Sequence, residues 1–397
     1  MFGALIKRNT NLFQKKIPAT EAMKFIDIPE DLVTNILLYL PAKSLARFKC
    51  VCKSWCSLIG DPKFVVEHHH KQTTLYSNSF WVIGRDKCSN YEFILCFIKD
   101  DGDEIPIVTE TISHGDEPFC GFKLVLGPRN GLYCVCEDVT VTIINPSTGE
   151  SKTLPDSQLE PPNVASFQCP DFGFGFDNKN NDYKVLRFVD YDCNGGATIH
   201  QIELYSLKSE SWRKLAGIDN VRLWSNKDDA YKDGVYYWWA KGENGCCILS
   251  FDMVDEVFET MPLPDFGIPS IDYHTTSDSC NHRAALSIFK GSLAAIAYPN
   301  KKGIEGYIDI WVMAALKETW VKQARIGPIS AIGRPLVFWK NGGLFLEDID
   351  GQLAIAFYDP RRGSIYLVEK LPFHPFMFSL QVLNYSQSLV SINGEKL

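Results

Sequence analysis

From residue 71 onward the chain shows no long helical periodicity. Short runs of β-branched and aromatic residues alternate instead with turns built from Gly, Asn, Asp and Pro. A unit recurs. It opens on a glycine followed by apolar and aromatic residues, as at Gly131-Leu132-Tyr133, Gly234-Val235-Tyr236, Gly291-Ser292-Leu293 and Gly343-Leu344-Phe345. A second strand ends at an anchor (Asn145, Tyr205, Phe251, Trp311, Tyr358), and a turn such as Asn145-Pro146-Ser147-Thr148-Gly149 or Asp359-Pro360-Arg361-Arg362-Gly363 follows. Leu154-Pro155, Leu263-Pro264 and Leu371-Pro372, or the tryptophans Trp212 and Trp320, close the copies.

The anchors lie 60, 46, 60 and 47 residues apart, a mean of about 53. That is close to the roughly 50-residue period of kelch-type blades. The 327 residues after position 70 hold about six such units. Radial repetition leaves little open strand edge, so a β-rich chain of this length stays soluble. The expected fold class is a small all-α unit followed by an all-β, kelch-like propeller of about six blades. A two-sheet sandwich followed by a separate β domain is the alternative.

The 397 residues are 45% hydrophobic and 22% charged, a globular balance. The thirteen cysteines are odd in number and scattered, and no secretory signal opens the chain, which fits a reducing compartment, cytoplasmic or nuclear. No apolar run approaches the roughly 20 residues a bilayer span needs. Charge is uneven. Residues 1–70 carry 10 Lys and Arg against 6 Asp and Glu, and the remainder 30 against 42. A large region of net −12 is a poor nucleic-acid binder and a better partner for a basic protein. Residues 1–22 contain Lys7, Arg8, Lys15 and Lys16, and Met23 offers a second start. These residues are expected to be a dispensable, disordered extension.

The stretch Phe25 to Ile59 reads differently. Asp27 is an N-cap candidate, Pro29 sits near the first turn, and Glu30 and Asp31 face the positive end of the helix dipole. Leu32, Val33, Ile36, Leu37 and Leu40 follow at helical spacing on one expected face, and Pro41 stops the helix. Leu45, Phe48, Val51 and Cys52 mark a second helix; Trp55, Leu58 and Ile59 mark a third, before Asp61-Pro62. Between Pro41 and Gly60 the charges are Lys43, Arg47, Lys49 and Lys53, with no acid. About 45 residues cannot easily hold an independent core. Either a partner covers these apolar groups or the unit caps the chain's own second domain.

The run Ile28-Pro29-Glu30-Asp31-Leu32, with Ile36-Leu37, Leu40-Pro41, Lys43-Ser44-Leu45, Arg47 to Lys53 and Trp55, resembles an F-box. The resemblance implies docking to a Skp-family adaptor and, through it, to the cullin and RING subunits of a ubiquitin ligase. The adaptor-binding candidates it carries are Ile28, Pro29, Leu32, Ile36, Leu37, Leu40, Pro41, Leu45, Phe48, Lys49, Val51, Cys52 and Trp55. In this family the adaptor is acidic, which suits the acid-free basic stretch.

Residues 71–390 resemble the F-box-associated β-propeller domain of plant F-box proteins, through Gly173–Phe188, Tyr205–Leu215 and Ile248–Pro264. The run Ile308 to Gln323, Pro335 to Lys340 and the wording Lys43 to Cys50 are similar to the S-locus F-box proteins of pollen. That resemblance implies recognition of non-self pistil ribonucleases, with the propeller's loop face holding the target and no individual contact residue assigned. The expected division is an extension at 1–22, an F-box at 23–70, a propeller at 71–390 and a tail at 391–397.

Sites of chemistry are weak. His68-His69-His70 cannot all face one ion on a helix, and no matched cysteine pair lies nearby. Cys50, Cys52 and Cys56 lack C-x-x-C spacing. Cys134/Cys136 and Cys246/Cys247 fall in strands, where neighbours are expected on opposite faces. Gly173-Phe174-Gly175 lacks the third glycine of a dinucleotide fingerprint. The expectation is a non-catalytic receptor with no cofactor and no metal. The competing class, a propeller enzyme or sugar binder with a helical cap, requires polar groups converging in a pocket at the propeller mouth.

Overall fold

The computed structural model describes residues 28–75 and, in segments, 79–393; residues outside it include 1–27, 86–90, 100–106, 115–123, 158–165, 273–281, 349–353, 371–380 and 394–397. The expectations for the extension and for Asp27 as a cap therefore lie outside the described residues. The chain divides into two compact units, residues 1–40 and 41–397.

In the first unit lies α1 (Glu30–Leu38). Pro29 occupies its N-cap position, and the Pro29 carbonyl accepts from Leu32 N at 2.9 Å and Val33 N at 3.1 Å. In the second unit Pro41 does the same for α2 (Ala42–Phe48), accepting from Ser44 N and Leu45 N. A residue before or at a helix start spends no amide on the helix, so proline costs nothing there. The helix α3 (Lys53–Gly60) follows, with Cys52 at its N-cap. Val51 and Cys52, expected inside the second helix, therefore lie between α2 and α3. A fourth helix, α4 (Pro62–Leu75), was not expected. Asp61 starts it, its Oδ1 accepting from Lys63 N at 2.8 Å and Phe64 N at 3.3 Å, with Pro62 in the first turn. It runs past the expected boundary at residue 70.

The strands form six sheets among the described residues, all antiparallel except for one short parallel pair, Ile271–Asp272 with His282–Arg283. The first sheet holds Ser79–Arg85, Tyr91–Lys99 and Ile107–His114, and the C-terminal strand Gln381–Asn384 completes it by pairing Phe80 with Asn384 and Trp81 with Leu383. The second runs over Leu124–Thr153, the third over Ser166–Leu215, the fourth over Arg222–Met261, the fifth over Ile271–Ile329 and the sixth over Ile332–Lys370. Cores lie between successive sheets. Leu126, Cys134 and Ile143 pack with Phe174 and Val185; Leu186 and Phe188 with Trp238 and Phe251; Trp239 and Ile248 with Ala284 and Ala295; Ile296 and Ile310 with Leu344 and Leu346. Phe80 meets Phe345 edge-on at 5.6 Å, joining the sixth sheet to the first. This is a propeller whose first sheet is completed by strands from both ends of the β region.

Turn chemistry explains the repeat. Three of the four glycine openers belong to two-residue hairpins with both residues at positive φ: Asn130 (48°) and Gly131 (81°), Asp233 (49°) and Gly234 (88°), Lys290 (48°) and Gly291 (77°); Gly343 does not, since Phe338 pairs with Leu344 across a longer connection. Those are the type I′ turns that suit the twist of paired strands. In three copies the later turn closes i to i+4, with Gly149 N on Asn145 O, Glu256 N on Asp252 O and Gly363 N on Asp359 O, and the last residue of each is at positive φ.

Register corrects two anchors. Tyr205 pairs with Trp212, Phe251 with Phe258 and Tyr358 with Ile365. The equivalent pairs elsewhere are Ile144 with Ser151 and Met313 with Trp320. The repeating position is therefore held by Ile144 and Met313, not by Asn145 and Trp311. Trp212 and Trp320 become equivalent on this register, and they act alike. The Trp212 indole donates to Pro155 O at 2.7 Å and the Trp320 indole to Pro262 O at 2.9 Å, each reaching the end of the preceding sheet.

Asn145 is freed for another task. Its side-chain amide donates to Ser388 O at 3.1 Å and Val390 O at 2.8 Å. Glu150 accepts from Ile392 N at 2.7 Å, and Ile392 is buried, so part of the expected tail, 391–397, is built into the propeller.

Candidate functional site

The candidate site is an apolar helical face. On α1 the apolar residues do not share one side, as the spacing suggested. Leu37 and Leu38 are buried, at 2% and 1% exposure. Leu32 and Ile36 are 54% and 58% exposed, with Ile28 at 55% before the helix and Tyr39 at 58% just after it. Positions 32, 36 and 39 follow the i, i+4, i+7 spacing of one helical stripe, and Ile28 is exposed just ahead of the helix. The alternation splits the helix into a packed side and an uncovered side. Pro29 is exposed and Leu40 half-buried.

In the second unit the remaining candidates separate in the same way. Leu45 is fully buried, together with Ala42 and Ile59. Phe48 and Trp55 are half-buried, and their rings sit 5.5 Å apart at 47°, which ties α2 to α3. Val51 is 61% exposed; Pro41 and Cys52 are exposed and Lys49 half-buried. Lys43, Arg47 and Lys53 are exposed as well, so this region shows solvent a cationic surface. Hydrogen bonding from Ser54 and the Trp55 amide lowers the Cys52 thiol pKa. Tyr39 is not among the residues expected from the sequence, although the 32-36-39 spacing points to it.

The three histidines on α4 meet three environments. His68 is buried and stacks on Phe64 at 6.2 Å, His69 Nδ1 lies 3.0 Å from Gln387 O, and His70 is exposed. Burial lowers the His69 pKa against the smaller opposing effect of the Gln387 carbonyl. Gln387 also accepts from Ala42 N through Oε1 at 2.8 Å, so one glutamine of the C-terminal segment holds both α2 and α4. Cys134 and Cys136 are two residues apart and share a face, contrary to the opposite-face expectation; their sulfurs lie 3.9 Å apart, and burial pushes the Cys136 thiol pKa up.

Residues 25–67 match the F-box domain model, and residues 126–392 match the model of the F-box associated beta propeller domain. Two Arabidopsis thaliana F-box/kelch-repeat proteins are similar over nearly the whole chain. One is 27% identical over 363 residues, covering 86% of this chain and 90% of the relative. The other is 26% identical over 373 residues, covering 88% of each. The Arabidopsis F-box protein CPR1 is 24% identical over 358 residues, covering 83% of this chain and 81% of the relative.

Proposed function

Because the chain belongs to the F-box proteins that carry an F-box-associated β-propeller, we propose that it is a substrate receptor of a Skp–cullin–F-box ubiquitin ligase. The observation that carries this reading is the exposed stripe Leu32, Ile36 and Tyr39, with Ile28 exposed just ahead of it. Large apolar groups gathered on and beside one helix are an interaction surface rather than scattered exposure. The Skp-family adaptor is the proposed occupant, and the exposed Lys43, Arg47 and Lys53 suit an acidic one. The propeller then holds a target beside the charged ubiquitin-conjugating enzyme. The rate gain comes from tethering, which raises the effective concentration of target lysines at the thioester. No side chain of this protein serves as acid, base or nucleophile in that scheme. Its place of work is the cytoplasm or nucleus.

For the target we favour the narrower reading, a basic pistil ribonuclease recognised in the pollen tube. The wording of residues 308–323 and the propeller's net −12 support it. Another plant protein held by the same ligase is the alternative.

The test is reconstitution. The full chain, mixed with purified Skp adaptor, should co-elute with it and, with cullin and RING subunits added, support ubiquitination of a captured target. Ribonuclease binding should weaken steadily as salt rises, since screening at 0.1 M acts beyond about 10 Å. A chain that elutes alone at micromolar adaptor refutes the receptor role. Salt-independent capture refutes the charge argument and leaves the receptor role standing.

A further inference from the structure

A cavity of about 440 Å³ lies among the inner strands of five of the six sheets, bounded by Gly127–Arg129, Asp229–Tyr231, Ala285–Ile288, Pro335–Val337 and Val382–Asn384. That is within the ~300–1,000 Å³ range of small-ligand sites. Its walls mix polar groups with apolar ones, Leu286, Ile288, Ile296, Val337 and Leu344 among the latter.

One full positive charge stands in this wall. Arg129 Nε donates to Phe174 O at 2.9 Å, and Nη1 donates to Pro128 O at 3.0 Å. The guanidinium carbon lies 3.7 Å from the centre of the Tyr231 ring. That ring is itself fixed, because the Tyr231 hydroxyl accepts from Phe176 N at 2.9 Å. Two of five N–H groups are thus engaged by carbonyls, in a planar fork held in place. Among the described residues no carboxylate pairs with Arg129. Burial lowers its pKa, opposed in part by Tyr236, Tyr231 and Cys134. A charge that is held rigid and partly desolvated is prepared for an anion.

We propose that this cavity binds an organic monocarboxylate with an apolar body, its carboxylate paired to Arg129 and its body against Leu286, Ile296 and Val337. Asp229 shapes the selection. It shares the wall, and its Oδ2 accepts from the Tyr236 hydroxyl at 3.2 Å. A second negative charge on the ligand would be repelled by it. Two sources supply this chemistry: the C-terminus of a peptide, or a free small acid. The proposal does not depend on the adaptor reading, since none of the cavity residues lies on the helices.

The test is calorimetric titration of the full chain with four probes. They are 4-phenylbutyrate, its primary amide, a hexapeptide ending in phenylalanine, and the same peptide with an amidated end. At least one acid should bind saturably below about 1 mM, and its amide about tenfold more weakly or not at all. Arg129→Gln should weaken the acid by about tenfold or more. Ser287→Phe, which fills the cavity and keeps Arg129, should abolish binding with the melting temperature held. Binding of the peptide alone identifies a chain terminus as the ligand, and binding of phenylbutyrate identifies a free acid. The proposal is overturned if neither acid saturates, if acid and amide bind alike, or if Ser287→Phe binds as the wild type does. Should Arg129→Gln fail to fold, the acid–amide contrast and Ser287→Phe decide alone.

Discussion

The strand Leu132–Glu137 and the helix Glu30–Leu38 are both rich in apolar side chains, yet they dispose of them in opposite ways. In the strand, Leu132, Tyr133, Cys134 and Val135 are all at 0% exposure. Sheets stack on both of its faces, so alternating side chains are buried either way. On the helix, Leu37 and Leu38 are buried while Leu32 and Ile36 stay more than half exposed. The blades satisfy themselves through neighbouring blades and a ring that closes. The helix does not. Self-sufficiency in one region and an unsatisfied stripe in the other separate what holds the protein together from what it offers to a partner.

The largest expected effect breaks or upholds that contrast directly. In Leu32→Asp/Ile36→Asp, each lost side chain removes about 1.5–3 kcal/mol of burial that only a partner could supply. Adaptor affinity should fall by more than about 100-fold, while the melting temperature stays within about 2 °C of wild type. A large drop in melting temperature would mean that the stripe belongs to the fold, and the contrast would fail.

How far the sequence disclosed this division depends on the kind of signal. The proline-bounded helices and the glycine turns were legible because backbone geometry demands those residues at those places. The helix Pro62–Leu75 was not. Its buried side is Phe64, His68 and Gln72, while Val66 is 69% and Leu75 53% exposed, so the usual apolar pattern is reversed. The anchors misled for a related reason. Asn145 and Trp311 stand near the strand ends, but strand register assigns the position to Ile144 and Met313, and a register is a property of the partner strand. The Arg129 cavity drew on five sheets, and no local window contains it.

The next effect probes the self-sufficient region through its charges. Lys184 and Asp177 are buried between the third and fourth sheets. The Lys184 ammonium donates to Asp177 Oδ2 at 2.7 Å and Met253 O at 2.6 Å and pairs with Glu256 at 2.9 Å; Glu256 also meets Arg213. Burial alone would raise the Asp177 pKa, but the bonds from Lys184 and Asn180 outweigh it and hold the carboxyl at about 2. Glu256 is lowered in the same manner by Arg213 and Lys184. Because both folded values lie below the unfolded ones, their stabilisation is present above about pH 4 and is lost as pH falls toward 2. Lys184→Met strands the Asp177 charge and should cost about 3 kcal/mol at pH 7, or a melting temperature lower by about 5 °C or more. The gap between variant and wild type should narrow from pH 4 to pH 2.5 in thermal scans. A gap independent of pH would reassign the loss to packing.

The smallest effect compares two glycines within the blades. Gly131 and Gly149 both have positive φ, 81° and 78°, so alanine incurs a similar backbone cost of about 1 kcal/mol at each. Their surroundings differ. A Cβ on Gly131 would stand 2.3 Å from Ser388 Cβ and 3.1 Å from Ser386 O, whereas a Cβ on Gly149 meets nothing within 4 Å. The segment displaced by Gly131→Ala is the one that carries Gln387 and closes the first sheet. Gly149→Ala should therefore lower stability by about 1 kcal/mol and leave residues 381–392 as protected from hydrogen exchange as in the wild type. Gly131→Ala should cost about twice as much and raise exchange selectively in that segment, with Ala42 N among the amides that open. Equal losses for the two, with no local change in exchange, would show that the C-terminal segment gives way at no cost. Closure would then rest on the strand pairing of Phe80–Ile83 with Gln381–Asn384.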